Sequence, residues 1–385
     1  MPNTAKKINY FTESVISEMT NLADQYDAIN LSQGNPDFDP PAELIAAAKR
    51  ALDDGYHQYA ITFGSLHFRQ ALARKQRRFM GLDLDPDTNI VVTCGGTEAM
   101  MSSIMTICDP GDKVIVFSPF YESYAVDIIL NGAEPIYVPL HFPTFDFDPD
   151  EVRAAFAKGA KAIILCNPSN PAGKVFTREE LLFIAGLAQE FDTFVIMDEV
   201  YEHIVYKPNQ HVYMANLPGM FERTLSCSSL SKTYSITGWR LGYVIASSTI
   251  ISGIKKLHDF LTLGAAAPLQ EAAVTALDFP ESYYDGLVAE YSRRRDIFLE
   301  QLKNAGLSFT IPQGAYYVMV DISNFGFKTD TEFCRRLTKN IGVAALPGSS
   351  LFYNNINHLI RLHFARKEET LLAVGERLQR LKDFI

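Results

Sequence analysis

No apolar run in this 385-residue chain approaches the roughly 18 residues that a membrane-spanning helix needs, so nothing points to a helical membrane protein. The first ten residues carry Lys6 and Lys7 but no apolar stretch and no cleavage-like site, which argues against a secretory signal and for a cytoplasmic protein. Cysteines are few and odd in number. Cys94, Cys108, Cys166, Cys227 and Cys334 are widely spaced and form no C-x-x-C pair, so buried free thiols are expected rather than disulfides or metal ligands. Positive charge is also short: the formal net charge of -10 disfavours a nucleic-acid binder, and the basic run 74–78 reads as the solvated face of a helix. His203 and His211 lack a third ligand nearby, so no metal site is expected. Repeats and low-complexity segments are absent.

What is present is the composition of an ordinary globular protein, 47% hydrophobic and 21% charged, long enough for two or three domains and a large core. After a polar N-terminal segment, the prolines and Gly34 of 29–41 predict an extended loop. Amphipathic helices are expected over 42–53 and 65–80, the second capped by Ser65. From residue 89 onward short β-branched runs alternate with helical ones. Strands are expected at 90–93, 113–117, 135–139, 161–166, 193–198, 223–227 and 241–246, with helices at 97–107, 122–131 and 177–191. Continuous apolar strands alternating with helices predict an α/β fold: a three-layer, mostly parallel sheet covered on both faces. The last third predicts helices at 269–277, 284–304, 331–340 and 368–382 around strands at 307–311, 315–322 and 358–364. This suggests a smaller α/β or α+β domain, with the boundary inside 270–290.

Five polar clusters follow predicted strands, where open parallel sheets bind their ligands. Thr93-Cys-Gly-Gly-Thr-Glu-Ala places Gly95, Gly96 and Thr97 at a strand-to-helix turn suited to an anion, although a tight turn with a threonine cap reads the same way. It fits neither a P-loop nor G-x-G-x-x-G. Tyr121 and Tyr124 can stack on a flat ring or pack in the core. Asn167-Pro-Ser-Asn-Pro-Ala-Gly can present Asn170 as a fixed amide. Asp198 ends an apolar strand, where a carboxylate needs a cation, and Tyr201 follows it. Finally, Lys232 lies among Ser229, Ser231 and Ser235, with Arg240 eight residues on, while Arg361 interrupts another apolar strand. One ligand satisfies all of these groups. Pyridoxal phosphate brings an aldehyde for Lys232, a phosphate for Gly96, Thr97, Ser229 and Arg240, a ring for Tyr121, a 3-oxygen for Asn170 and Tyr201, and a ring nitrogen for Asp198.

These motifs, from Leu31 to Arg361, resemble the class I/II aminotransferases of the aspartate-aminotransferase-like, fold type I family of pyridoxal-phosphate enzymes. Asn-Pro-x-Asn-Pro-x-Gly, Asp-Glu-x-Tyr and Ser-x-Ser-Lys with its following arginine carry the likeness; Ala172 departs from it, where many relatives have threonine. The resemblance implies an aminotransferase with Lys232 as imine-forming lysine and proton shuttle, and Asp198 as partner of the pyridine nitrogen. It places Asn170 and Tyr201 at the 3-oxygen, Tyr121 on the ring, and Gly95, Gly96, Thr97, Ser229, Ser231 and Arg240 around the cofactor. Arg361 would bind the substrate carboxylate, beside Gly34 and Asn170. It also implies a homodimer in which Tyr59 reaches the neighbouring phosphate, a large domain over 38–280, and a small one of 281–385 joined by 1–37. Leu31-Ser-Gln-Gly-Asn-Pro-Asp-Phe and the segments 344–352 and 360–371 are similar to the kynurenine, glutamine and methionine aminotransferase branch, whose substrates are aromatic or sulfur-containing amino acids. The pocket candidates Tyr59, Phe63, Tyr121 and Phe352 lean the same way. Aspartate remains an alternative substrate, and carbon-sulfur β-lysis an alternative reaction. A non-catalytic binding relative is disfavoured by intact Lys232, Asp198 and Arg361.

Overall fold

Alternate residues of a strand face opposite ways, and in the central sheet of this protein both sets are apolar. Ile115, Phe117, Ile163, Leu165, Val195 and Met197 join one core cluster, whereas Val114, Val116, Ala162, Ile164 and Ile196 join another. The sheet is therefore buried on both faces, which is why its strands read as unbroken apolar runs.

The computed structural model describes residues 3–11 and 14–383. A two-residue strand, β1 (Ile29–Asn30), comes first. The next seven strands form one sheet: β2 (Ile90–Thr93), β3 (Lys113–Ser118), β4 (Glu134–Pro139), β5 (Ala160–Cys166), β6 (Phe194–Asp198), β7 (Thr224–Ser229) and β8 (Gly242–Ile245). Their order is β2-β8-β7-β6-β5-β3-β4. Only β8 runs antiparallel to its neighbours, β7 and β2. Cys166 lies opposite Asp198, Asp198 opposite Cys227, and Gly242 opposite both Ser229 and Thr93, so the polar strand ends share one edge.

Helices α1 (Val15–Gln25), α2 (Ala42–Asp53), α3 (Leu66–Phe79) and α4 (Gly95–Ile107) precede or flank this sheet. Ser65 caps α3 as expected, its hydroxyl accepting from the Phe68 N–H at 3.2 Å. Three helices were not anticipated: α1, Pro149–Phe156 and Ser248–Leu261. The second is short, with Asp148 accepting from the Asp150 N–H as its cap and Pro149 in its first turn. No described helix is long and apolar enough to cross a membrane. The cysteines are free thiols, buried except for half-buried Cys94.

The C-terminal part carries β9 (Ser308–Phe309), β10 (Tyr317–Asp321), β11 (Val343–Ala344), β12 (Leu346–Pro347) and β13 (Leu359–His363). Four of them make an antiparallel sheet in the order β12-β13-β10-β9, while β11 pairs in parallel with β1. That pairing, and a core cluster joining Met19 and Leu31 to Val318, Leu362 and Leu371, holds residues 19–31 against the C-terminal part. The loop after β1 is thereby led to the polar edge of the large sheet.

Candidate active site

At the end of β2 the chain turns into α4 with no room for side chains. Gly95 has φ 82°, and a Cβ there would lie 2.2 Å from Nη2 of Arg240. A Cβ on Gly242 would lie 2.4 Å from the Gly95 carbonyl carbon, so β8 and the α4 turn touch backbone to backbone. Glycine allows this approach at both positions. Arg240 itself adopts a left-handed conformation, φ 53° and ψ 52°, with Nη1 donating to the Thr237 carbonyl at 3.0 Å. The helix N-terminus, Ser229, Ser231, Thr97 and Arg240 thus face one space with donors for an anion.

Asp198 closes β6, buried, with its Oδ1 accepting from the Val200 N–H at 3.3 Å. Its Oδ2 accepts from the Tyr124 hydroxyl. Burial pushes this carboxyl up, while the Tyr124 hydrogen bond, the Val200 N–H and the Lys232 charge pull it down. Lys232 sits across the cavity, its Nζ donating to the Gly34 carbonyl at 3.0 Å. Desolvation pushes its ammonium down to about 8, against the attraction of Asp198. Tyr201 is buried, its hydroxyl 2.8 Å from that of Tyr317, and burial keeps both phenols protonated.

Arg361 is 1% exposed on β13. Nη1 donates to Asn170 Oδ1 at 2.8 Å, Nη2 to the Ser32 carbonyl at 2.6 Å, and Nε has no partner. The guanidinium lies 4.4 Å from the Tyr317 ring centroid. Because Arg361 uses the Asn170 oxygen, the amide NH2 of Asn170 is left to face the cavity. The Gly34 carbonyl accepts from both Lys232 and Tyr316, and a Cβ on Gly34 would lie 2.0 Å from the Tyr317 hydroxyl.

These groups line one cavity of about 390 Å³. It gathers Gly34, Gly96, Thr97, Tyr121, Asn170, Asp198, Tyr201, Ser229, Ser231, Lys232, Arg240 and Arg361 from the sequence expectation. Gly95 backs it through its contact with Arg240. Tyr59 and Phe63 do not line it: they lie in a separate surface groove with Ile61 and His67, on a loop ahead of α3. Phe352 instead packs against two core clusters. Tyr124, read as a stacking or core aromatic, is the hydrogen-bond donor to Asp198. Tyr317, Ile16 and Asp127 also line the cavity and were not singled out: Tyr317 falls within an apolar strand, Asp127 within a helical run, and Ile16 within a segment read only as polar. His203 and His211 lie 3.4 Å from the carboxylates of Glu202 and Glu199.

Three cations, Lys232, Arg240 and Arg361, surround a cavity in which Asp198 is already hydrogen-bonded, so the donor set suits a ligand with two anionic ends. A half-buried lysine of lowered pKa, a glycine cradle that a Cβ would fill and a carboxylate seeking a cation fit pyridoxal phosphate.

The family model described as aminotransferase class I and II matches residues 26–378. Methionine aminotransferase of Escherichia coli is 38% identical over 376 residues, covering 97% of each chain. Human kynurenine–oxoglutarate transaminase 1 is 34% identical, covering 95% of each. The structure of N-succinyldiaminopimelate aminotransferase from Mycobacterium tuberculosis superposes with a TM-score of 0.95 at 35% identity, over 98% of this chain and 100% of that one. The chain therefore belongs to the class I and II aminotransferases, enzymes that use pyridoxal phosphate to move amino groups between amino acids and 2-oxo acids.

Proposed function

We propose that this aminotransferase takes its amino group from L-amino acids with aromatic, glutamine, methionine or kynurenine-like side chains and passes it to a 2-oxo acid by a ping-pong mechanism. The observation that carries this reading is the buried Arg361, whose Nε lacks a partner beside Lys232 in the same cavity. It is placed to take the carboxylate common to all amino acids. Beyond Lys232 and the phosphate-facing Arg240, no second cation lines the cavity among the described residues, so this chain offers none to an acidic side chain. The similar relatives, a methionine aminotransferase and a kynurenine–oxoglutarate transaminase, lean the same way.

When bound, pyridoxal phosphate supplies an aldehyde that condenses with amines and a protonated ring that accepts electrons. Ser229, Ser231, Arg240, Thr97 and the N–H groups at Gly95 and Gly96 hold the phosphate. Asp198, kept in place by Tyr124 and Val200, holds the proton on the ring nitrogen. Tyr201 and the Asn170 amide donate to the 3-oxygen, and Tyr317 can donate in turn to Tyr201. Tyr121 covers the ring. Lys232 anchors the cofactor and then moves the substrate's α-proton. Its lowered pKa suits a base working near neutrality. The reading includes a homodimer in which Tyr59 reaches the neighbouring phosphate, and a small domain of 1–37 with 281–385 beside a large one of 38–280, supported by the β1–β11 pairing.

The test is an absorbance titration of the purified, cofactor-loaded protein with methionine, kynurenine, glutamine and aspartate. Conversion of the cofactor band to its amino form by the first three at lower concentrations than by aspartate is expected. A response to aspartate alone overturns the substrate reading, and pyruvate with ammonia from cystathionine without any oxo acid would indicate β-lysis instead.

A further inference from the structure

His258 has no role in the steps above, yet it is fully buried in the helix Ser248–Leu261, against the start of α4. Its Nδ1 lies 2.6 Å from Glu98 Oε1 and its Nε2 lies 2.7 Å from the Thr62 carbonyl oxygen. A neutral imidazole donates from one nitrogen only, whereas a carbonyl and an ionised carboxylate can only accept. Glu98 is kept ionised by its other partners: Oε1 also accepts from the Thr262 hydroxyl at 2.9 Å, and Oε2 from the Cys94 N–H at 2.5 Å. The proton between the pair therefore belongs to the ring, and His258 is an imidazolium with both N–H groups engaged. Burial pushes His258 down, but the Glu98 hydrogen bond and charge, the Thr62 carbonyl and Asp259 more than offset this and hold it above the ordinary histidine range. Burial pushes Glu98 up, and the bonds from His258, Cys94 and Thr262 hold it below the ordinary carboxylate range. Glu98 from α4 and Asp259 from its own helix are the charged groups acting on the ring, since burial pushes the nearby Cys94 thiol up and keeps it neutral.

Glu98 stands in the first turn of α4 and reaches back to the N–H of Cys94, the residue just before the helix. That bond fixes the strand-to-helix turn and leaves the N–H groups of Gly95, Gly96 and Thr97, which have no acceptor within the helix, to an anion. A carboxylate at this place also competes with the anion, because both draw on the same helix end and repel each other. A carboxylate that orders the turn without repelling its ligand needs a cation of its own, and His258 is that cation. Given the phosphate at this turn, as proposed above, we infer that His258 is a positioning residue for the cofactor's phosphate: its imidazolium cancels the Glu98 charge, so that Glu98 can hold the turn without weakening the anion site. The other ring nitrogen ties Thr62, and with it the loop carrying Tyr59, to the same pair.

His258→Asn removes the charge and keeps an N–H near the place of Nδ1 for Glu98. With the Glu98 charge left bare at an effective dielectric near 20, pyridoxal phosphate should bind the cofactor-free full-length variant about 10- to 100-fold more weakly than wild type, read by equilibrium absorbance. Pyridoxal, which forms the same bond to Lys232 but lacks the phosphate, should bind both proteins alike. Glu98→Gln added to His258→Asn removes both charges and should restore most of the affinity for pyridoxal phosphate, although the bond to Thr62 is still missing. Unchanged affinity in His258→Asn overturns the inference. So does an equal loss for pyridoxal, or a double variant as weak as the single one, since either marks a purely structural support. Should His258→Asn fail to fold, the wild-type ring carries the test. In nitrogen-15 NMR of histidine-labelled protein, the buried ring should keep both protons at about pH 7.5, where an ordinary histidine of pKa about 6.5 is mostly neutral, and a neutral ring there overturns the inference. If wild type binds pyridoxal as tightly as pyridoxal phosphate, the phosphate placement fails; if it prefers pyridoxal phosphate and His258→Asn leaves that preference intact, only this inference fails.

Discussion

Lys232 makes a pH prediction with a defined sign. Its ammonium is pushed down to about 8 by burial, so deprotonation occurs well below the ordinary lysine range. At pH 7 about one molecule in ten then carries the free amine, against roughly one in 2,500 for a lysine of pKa near 10.4. The rate at which cofactor-free protein captures pyridoxal phosphate should therefore rise about tenfold per pH unit up to about 8 and level off above it. Stopped-flow absorbance checks this, and a rate still climbing in proportion at pH 10 would refute it. Tyr124 makes a second prediction. In Tyr124→Phe, Asp198 Oδ2 loses its donor, the carboxyl is pushed further up, and its hold on a protonated ring nitrogen weakens. Such hydrogen bonds contribute about 1.5–3 kcal/mol, so cofactor dissociation should be about 10- to 100-fold easier in the variant, measured by equilibrium absorbance. Asp198 and Arg361 were legible in the sequence because a charge at the end of, or inside, an apolar strand demands a partner, and Lys232 because it stands in a cluster of serines after one. Tyr124 and Tyr317 were not, because a phenol in an apolar run looks like core until the partner of its hydroxyl is known.

At the scale of elements, the strands were legible because burial on both faces leaves continuous β-branched runs, whereas the unread helices carry amphipathic patterns, and at Pro149–Phe156 an Asp-Pro start, that lie outside the alternation of strands and helices on which the reading rested. The expected start of α4 at residue 97 is moved to Gly95, since the close approach of β8 and Arg240 outweighs the poor helix propensity of two glycines. That approach is testable. Gly242→Ala would drive a Cβ into the Gly95–Gly96 peptide, whose atoms lie 2.4 to 2.7 Å from it, and backbone cannot yield as a side chain can. The expected result is about 5- to 150-fold weaker retention of cofactor, the 1–3 kcal/mol typical of overpacking, with a lowered Tm. Gly286→Ala is the contrast: it lies within the helix Glu281–Asn304, nothing stands within 4 Å of its Cβ position, and it should raise stability by up to about 1 kcal/mol in denaturant unfolding. Equal effects of the two substitutions would mean that the α4 turn is not held by this contact.

At the scale of the whole molecule, sequence motifs located the cavity because most of its polar parts follow strand ends of one sheet, with Gly34 and Arg361 brought to them by the loop after β1 and by β13. What they could not show is which aromatic residues of one chain reach its own cavity, and Tyr59 and Phe63 do not. Tyr59 is 84% exposed beside the exposed Ile61 and Leu66. His258 binds the Thr62 carbonyl at 2.7 Å, which brings this loop to the helix carrying exposed Phe260 and Leu261. An apolar patch of this kind suits a second copy of the chain. If Tyr59 serves the partner's site, two inactive proteins can complement each other. Lys232→Ala lacks the anchor and Tyr59→Ala lacks the phenol, yet a hybrid dimer places an intact Lys232 opposite an intact Tyr59 at one of its two sites. Random reassortment makes about half of the dimers hybrid, so about a quarter of all sites should regain wild-type turnover after unfolding and refolding the mixture. Were Tyr59 to act within its own subunit, every site in the hybrid would carry one lesion and the mixture would stay as inactive as its parents.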